Sequence, residues 1–283
     1  MNHHYEGFES KIFETSDHVK LHYLVKGTGK TIILVHGMCG SHASYCKIAP
    51  ILSEKYRVFV IDMRGHGLSE TPAYGARIAR LSKDMYEFQQ YIGAEKATWA
   101  GHSMGNAVLW SMIDLFGQDH IENLVMIDES TTHCANPADT EAQVREHAGA
   151  RMDIWQIYNA YRVSIEEGTA ALTRYMLMDQ FPESMETWMT LGEFALPPMD
   201  GPFTGKLCVN HIINDWRDLI PRIRVPSLYV SGGKSYVYTP ECSKWIVDHI
   251  PGCKYLLTPE GTHAGMVLKY AEEIAQAIEE LVG

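Results

Sequence analysis

Short runs that are apolar nearly throughout alternate along this chain with longer segments whose apolar residues recur at helical spacing. The short runs are 31–36, 57–62, 97–101, 123–128, 227–232 and 254–258. A strand covered on both faces has no polar side to present, so it reads as a continuous apolar run. The longer segments, 78–91, 104–116, 240–249 and 271–282, fit amphipathic helices. Strand–helix alternation of this kind predicts a mostly parallel sheet with right-handed crossovers, an α/β fold with helices on both faces. The residues up to Val25 fit an antiparallel hairpin at one sheet edge.

The alternation stops between about Thr132 and Arg222. Segments 145–161, 166–180, 183–194 and 210–219 read as helices, with Pro197 and Pro198 before the last. No strand is expected there, and the stretch is too long for a loop. The expected organisation is a core made of 1–131 and 223–283, with 132–222 inserted as a helical cap over the C-terminal edge of the sheet.

Composition narrows the function classes. The formal net charge of -11 gives phosphate contacts no basic surface, so nucleic acid is excluded as a partner. No apolar run approaches the length of a membrane span, and the N-terminus lacks the basic start and apolar stretch of a signal peptide. The six cysteines show no C-x-x-C or zinc-finger spacing, and free thiols in a reducing cytoplasm are the simplest reading. Neither H-E-x-x-H nor a carboxylate cluster is present in the sequence, so no metal and no cofactor is expected. A cytoplasmic enzyme acting on a small molecule fits these features; a homodimer is left open.

The most informative stretch is Gly101-His102-Ser103-Met104-Gly105, placed between an expected strand and an expected helix. Gly-x-Ser-x-Gly in that context is a nucleophile elbow. The serine sits on a strained turn, the glycines remove side chains where strand and helix nearly touch, and the N–H of Met104 faces the developing oxyanion. Upstream, Val35-His36-Gly37-Met38 ends another strand, where the N–H of Met38 would supply the second oxyanion donor.

These motifs, with Asp62-Met63-Arg64-Gly65-His66-Gly67-Leu68-Ser69 as a structural turn, resemble the α/β-hydrolase superfamily. The likeness is to its cap-bearing branch of esterases, lactonases, haloperoxidase-like enzymes and haloalkane dehalogenases. It implies a mostly parallel, eight-stranded-type sheet and covers nearly the whole chain, most weakly in the insertion. Haloalkane dehalogenases carry Asp where this chain has Ser103, which argues against dehalogenation. The resemblance places the general base in the loop after the last strand, where His263 stands. The usual acid position, after the strand at 227–232, holds Lys234 and Ser235 and no carboxylate. An alternative site in some relatives is the end of the strand after the nucleophile helix. Asp128 occupies it here, with Glu129 beside it as the alternative acid.

The insertion is rich in large apolar side chains, and Trp155, Trp188 and His133 are its candidate pocket residues. No Arg or Lys cluster suggests an anionic substrate. The expected activity is hydrolysis of an uncharged, moderately hydrophobic carboxylic ester or lactone through an acyl-enzyme on Ser103. The alternatives are perhydrolase or haloperoxidase-like chemistry, C–C bond hydrolysis, and a non-catalytic ligand-binding member of the fold.

Overall fold

The computed structural model of the 283-residue chain describes residues 5–134, 138–152, 154–166, 199–235 and 237–283. Strands β1 (Glu9–Glu14) and β2 (Lys20–Lys26) form the edge hairpin. They are followed by β3 (Thr31–Val35), β4 (Arg57–Ile61), β5 (Ala97–His102) and β6 (Ile121–Ile127). After the insertion come β9 (Ser227–Gly232) and β10 (Lys254–Thr258). These eight strands make one sheet in the order β1-β2-β4-β3-β5-β6-β9-β10. Only the β1–β2 and β2–β4 pairs are antiparallel.

The continuous apolar runs are explained by the two covered faces. Along β3, β5 and β6, Ile33, Val35, Trp99, Leu124 and Met126 face a layer containing Leu81, Met85 and Phe88 of α2 (Ile78–Tyr91) and Val108 of α3 (Met104–Phe116). Their alternating neighbours Ile32, Leu34, Ala100, Val125 and Ile127 face Ile48 and Leu52 of α1 (Ile48–Leu52). The strand period of two thus divides one run between two cores.

Between β6 and β9 the structure shows β7 (Thr132–Cys134), α4 (Glu141–His147), β8 (Ala148–Met152), α5 (Ile154–Glu166) and α6 (Gly201–Ile212). Three expectations are corrected here, the first being that this stretch holds no strand, since β7 and β8 lie in it. The helix expected over 145–161 is broken by β8, which pairs in parallel with β7. The run Ala148-Gly149-Ala150 carries no large apolar anchor, and its glycine weakens a helix interior. The helix expected over 210–219 instead begins at Gly201. Asp200 caps it by accepting from the Phe203 N–H at 2.7 Å, and Pro202 occupies the first turn, where its missing N–H costs nothing. Apart from Glu166, the helices expected over 166–180 and 183–194 lie outside the described residues. The chain closes with α7 (Pro240–His249), α8 (Met266–Lys269) and α9 (Ala271–Val282). Among the described residues no helix is long and apolar enough to cross a membrane.

Candidate active site

Ser103 lies alone between the end of β5 and the start of α3, at φ 52 and ψ -131. That backbone region is costly for a residue with a side chain, by about 1–3 kcal/mol, and persists only where the surroundings enforce it. Three hydrogen bonds do so. The Ser103 N–H donates to Ile127 O at 2.9 Å, the Asn106 N–H to Ser103 O at 2.7 Å, and the Asn106 amide to Ile127 O at 3.0 Å. Gly105 permits the helix to sit on β3, since a Cβ there would stand 2.4 Å from Val35 O. Gly37 lies against the serine itself, where a Cβ would come within 2.8 Å of Ser103 Cβ.

Met38 follows the glycine that lies against Ser103, and Met104 follows the serine itself. Neither donates to an acceptor among the described residues. Met104 opens α3, so its N–H has no intrahelical acceptor. His36 shapes the Met38 loop by donating from Nδ1 to Gly37 O at 2.8 Å and accepting the Met63 N–H on Nε2 at 3.1 Å. Burial and the nearby His66 push its pKa down to about 3, which keeps the accepting nitrogen unprotonated.

His263, in the loop after β10, donates from Nδ1 to Asp128 Oδ2 at 2.7 Å. Asp128 follows β6 with φ 47 and is fully buried. Its carboxylate also accepts from Ser235 Oγ at 2.6 Å and from the Gly232 N–H at 3.3 Å. The histidine is held from two sides. The His102 ring donates from Nε2 to the His263 carbonyl at 2.8 Å, and burial next to His263 lowers its pKa to about 4. Tyr238 meets the His263 ring edge to face at 5.3 Å, and its hydroxyl lies near Ser103 and Glu129. Burial first, then the charges of Glu129 and Asp128, raise the tyrosine pKa well above its ordinary value, so the phenol stays protonated.

Glu129 turns away from His263. Its Oε1 accepts the Ser130 N–H at 2.8 Å and lies 2.7 Å from His133 Nε2, while Oε2 lies 3.5 Å from His211 Nε2. Of the two adjacent carboxylates, only Asp128 contacts His263 among the described residues. His133 is buried against His211 and Tyr238, with ring centroids 4.5 and 5.5 Å away. Trp155, on α5, is 72% exposed; Trp188 lies outside the described residues. Sequence reasoning missed Tyr238 and His211. The only signal for Tyr238 was its position in the loop after β9, and His211 carried none beyond helical spacing.

Residues 30–270 match the family model for the alpha/beta hydrolase fold. The chain belongs to that family. A soluble epoxide hydrolase from Corynebacterium sp. strain C12 is 29% identical over 109 residues, which is 38% of this chain and 38% of that protein. The match thus spans well under half of that relative. An esterase from Exiguobacterium antarcticum superimposes with a TM-score of 0.83 at 19% identity, covering 97% of this chain and 99% of the other. A bromoperoxidase from Bacillus anthracis does so with a TM-score of 0.82 at 21% identity and the same coverage. At these identities the structural likeness speaks for the fold alone, and the family is that of hydrolases.

Proposed function

We propose that this α/β hydrolase cleaves an uncharged, moderately hydrophobic carboxylic ester or lactone, with Ser103 as nucleophile, His263 as general base and Asp128 as the acid that orients it. The observation that carries this reading is the strained Ser103 turn together with a histidine, packed on the ring of the neighbouring His102, whose Nδ1–H is bound by a buried carboxylate. That bond leaves His263 Nε2 as the basic nitrogen.

Ser103 Oγ attacks the acyl carbon while His263 takes its proton. The oxyanion receives the N–H groups of Met38 and Met104. Collapse breaks the bond from acyl carbon to leaving oxygen, and His263 returns the proton to the departing alkoxide. Water, deprotonated by the same histidine, then cleaves the acyl-enzyme.

The nucleophile's identity separates this chemistry from that of the epoxide hydrolase relative. Attack of a hydroxyl on an epoxide or alkyl halide would leave an ether on the serine, which water does not cleave. Attack on an acyl carbon leaves an ester, which it does. For substrate polarity, the Met38 side chain packs with Cys134 against Cys208 and Ile212, an apolar cluster suited to a neutral acyl group. The net charge of -11 disfavours anions. Residues 132–222 are read as the cap over this site.

The test is a panel of p-nitrophenyl esters and lactones, run together with fluorophosphonate labelling. Turnover on the panel and labelling that vanishes in Ser103→Ala are expected. Absence of both in the folded wild-type protein overturns the proposal.

A further inference from the structure

The described residues hold two buried clusters in which a carboxylate meets two imidazoles, and the two are built differently. In the first, Asp62 is saturated. It accepts from His22 Nδ1 at 2.8 Å, His42 Nδ1 at 2.8 Å, the His42 N–H at 2.6 Å and the Leu68 N–H at 3.0 Å. Every donor points at the carboxylate, and the cluster fastens the Asp62-Met63-Arg64 turn to β2 and the loop after β3. It has no capacity left for a ligand.

The second cluster is Glu129, His133 and His211, all buried, with one donor atom from each lying within 4.8 Å of the others. Here the two imidazoles and the Tyr238 hydroxyl lie near the Glu129 carboxylate, but the imidazole contacts, at 2.7 and 3.5 Å, are not well-formed hydrogen bonds. Glu129 Oε2, His133 Nε2 and His211 Nδ1 are buried without a hydrogen-bond partner. His133 Nε2 is only 2.7 Å from Glu129 Oε1, yet this close contact is not aligned as a hydrogen bond. Leaving a buried polar atom unsatisfied costs about 1–3 kcal/mol. Glu129 Oε2 and His133 Nε2 thus call for a group that accepts a lone pair from each, and His211 turns its Nε2 to the same place, 3.5 Å from Glu129 Oε2.

We propose that Glu129, His133 and His211 form a binding site for a borderline transition-metal dication of the Zn2+ class. One carboxylate with two imidazoles is a donor set such ions favour. In a tetrahedral site with bonds of about 2.0–2.1 Å, neighbouring donors stand about 3.3 Å apart. The 3.5 Å between Glu129 Oε2 and His211 Nε2 matches that spacing, and the 2.7 Å contact widens once an ion separates the pair. Glu129 and His133 follow β6, whereas His211 comes from α6. The ion therefore cross-links that helix to the strand end that carries Asp128. The three positions spell no metal motif, because the third ligand arrives from a distant helix.

The test uses the full chain, stripped with a chelator and then titrated with Zn2+ in competition with a chromophoric chelator. One Zn2+ per chain is expected, with a rise in Tm. His211→Gln and Glu129→Gln should each weaken binding by about 100-fold and abolish the Tm rise. Co2+ in place of Zn2+ should give the intense visible bands of a four-coordinate site in the wild type and not in His211→Gln. Double replacement of His3 and His4 by Ala should leave all of this unchanged. No binding, or binding lost on replacing His3 and His4 but kept in His211→Gln, overturns the site. Because Zn2+ binding is read without substrate, its failure leaves the hydrolase assignment standing.

Discussion

The Ser235 hydroxyl donates to Asp128 Oδ2 at 2.6 Å, the same oxygen that receives the His263 Nδ1–H at 2.7 Å. Ser235 stands in the loop after β9, where the family resemblance leads the acid to be expected. In the proposed triad the acid is Asp128 at the end of β6, and Ser235 donates to it. A hydrogen bond to a charged group contributes about 1.5–3 kcal/mol. Ser235→Ala should therefore lower kcat/KM on a p-nitrophenyl ester by about tenfold and lower Tm by a few degrees, because the buried Asp128 carboxylate loses a donor. An unchanged kcat/KM would show that the bond does not hold the carboxylate in place.

The same geometry makes the acid movable. Asp128→Asn keeps the shape but lets the imidazole adopt the wrong tautomer, and a loss of about 10^4-fold in kcat is expected from that change. Adding Ser235→Asp to Asp128→Asn returns a carboxylate within reach of His263 and should recover at least about tenfold of the loss. Steady-state kinetics of the single and double variants measure this. Full activity in Asp128→Asn would remove Asp128 from the triad.

Stability should fall with pH earlier than carboxylate titration explains. His36 and His102 are buried with pKa values pushed down to about 3 and about 4, by burial first and then by neighbouring imidazoles. In the unfolded chain each takes up a proton below about 6.5. The native state binds fewer protons between that point and about 4, so stability is complete above pH 6.5 and declines as pH falls. Each group costs about 1.4 kcal/mol per pH unit, or about 2 kcal/mol at pH 5. Asp62, held below the ordinary carboxylate range against its burial by His22 and His42, adds its loss only below about pH 4. Urea midpoints at pH 7, 6 and 5 should drop steadily. His36→Gln, less stable at pH 7, should show a shallower drop; an equal slope would remove His36 as a source.

Much of this was legible in the sequence because it rests on local periodicity. Helices 78–91, 104–116, 240–249 and 271–282 run where their apolar spacing places them. The elbow was visible because its glycines answer a local steric demand. What escaped notice depends on contacts between distant segments. The β7–β8 pair is too short to show alternation, and residues 148–150 offer only Ala and Gly. The sequence left the choice between Asp128 and Glu129 open, since adjacent residues at a strand end differ only in which side each faces. His102 fills one of the two unspecified positions of the Gly-x-Ser-x-Gly motif, and its ring fastens the His263 loop. The Trp155 ring, chosen for its size, is largely exposed.

The contact between Gly37 and Ser103 separates positioning from stability. A methyl group on Gly37 would lie 2.8 Å from Ser103 Cβ and 3.3 Å from its Oγ. Gly37 has no positive φ, so Gly37→Ala brings no backbone penalty of its own. The clash is relieved by moving the Met38 loop away from the nucleophile. That shift takes one oxyanion donor out of line, and misplacement of about 1 Å costs about 10^2-fold in rate. Gly37→Ala should thus lower kcat by about 10^2-fold or more while KM and Tm change little. A large fall in Tm with kcat preserved in the folded fraction would instead make Gly37 a packing residue, and Met38 would lose its place as an oxyanion donor.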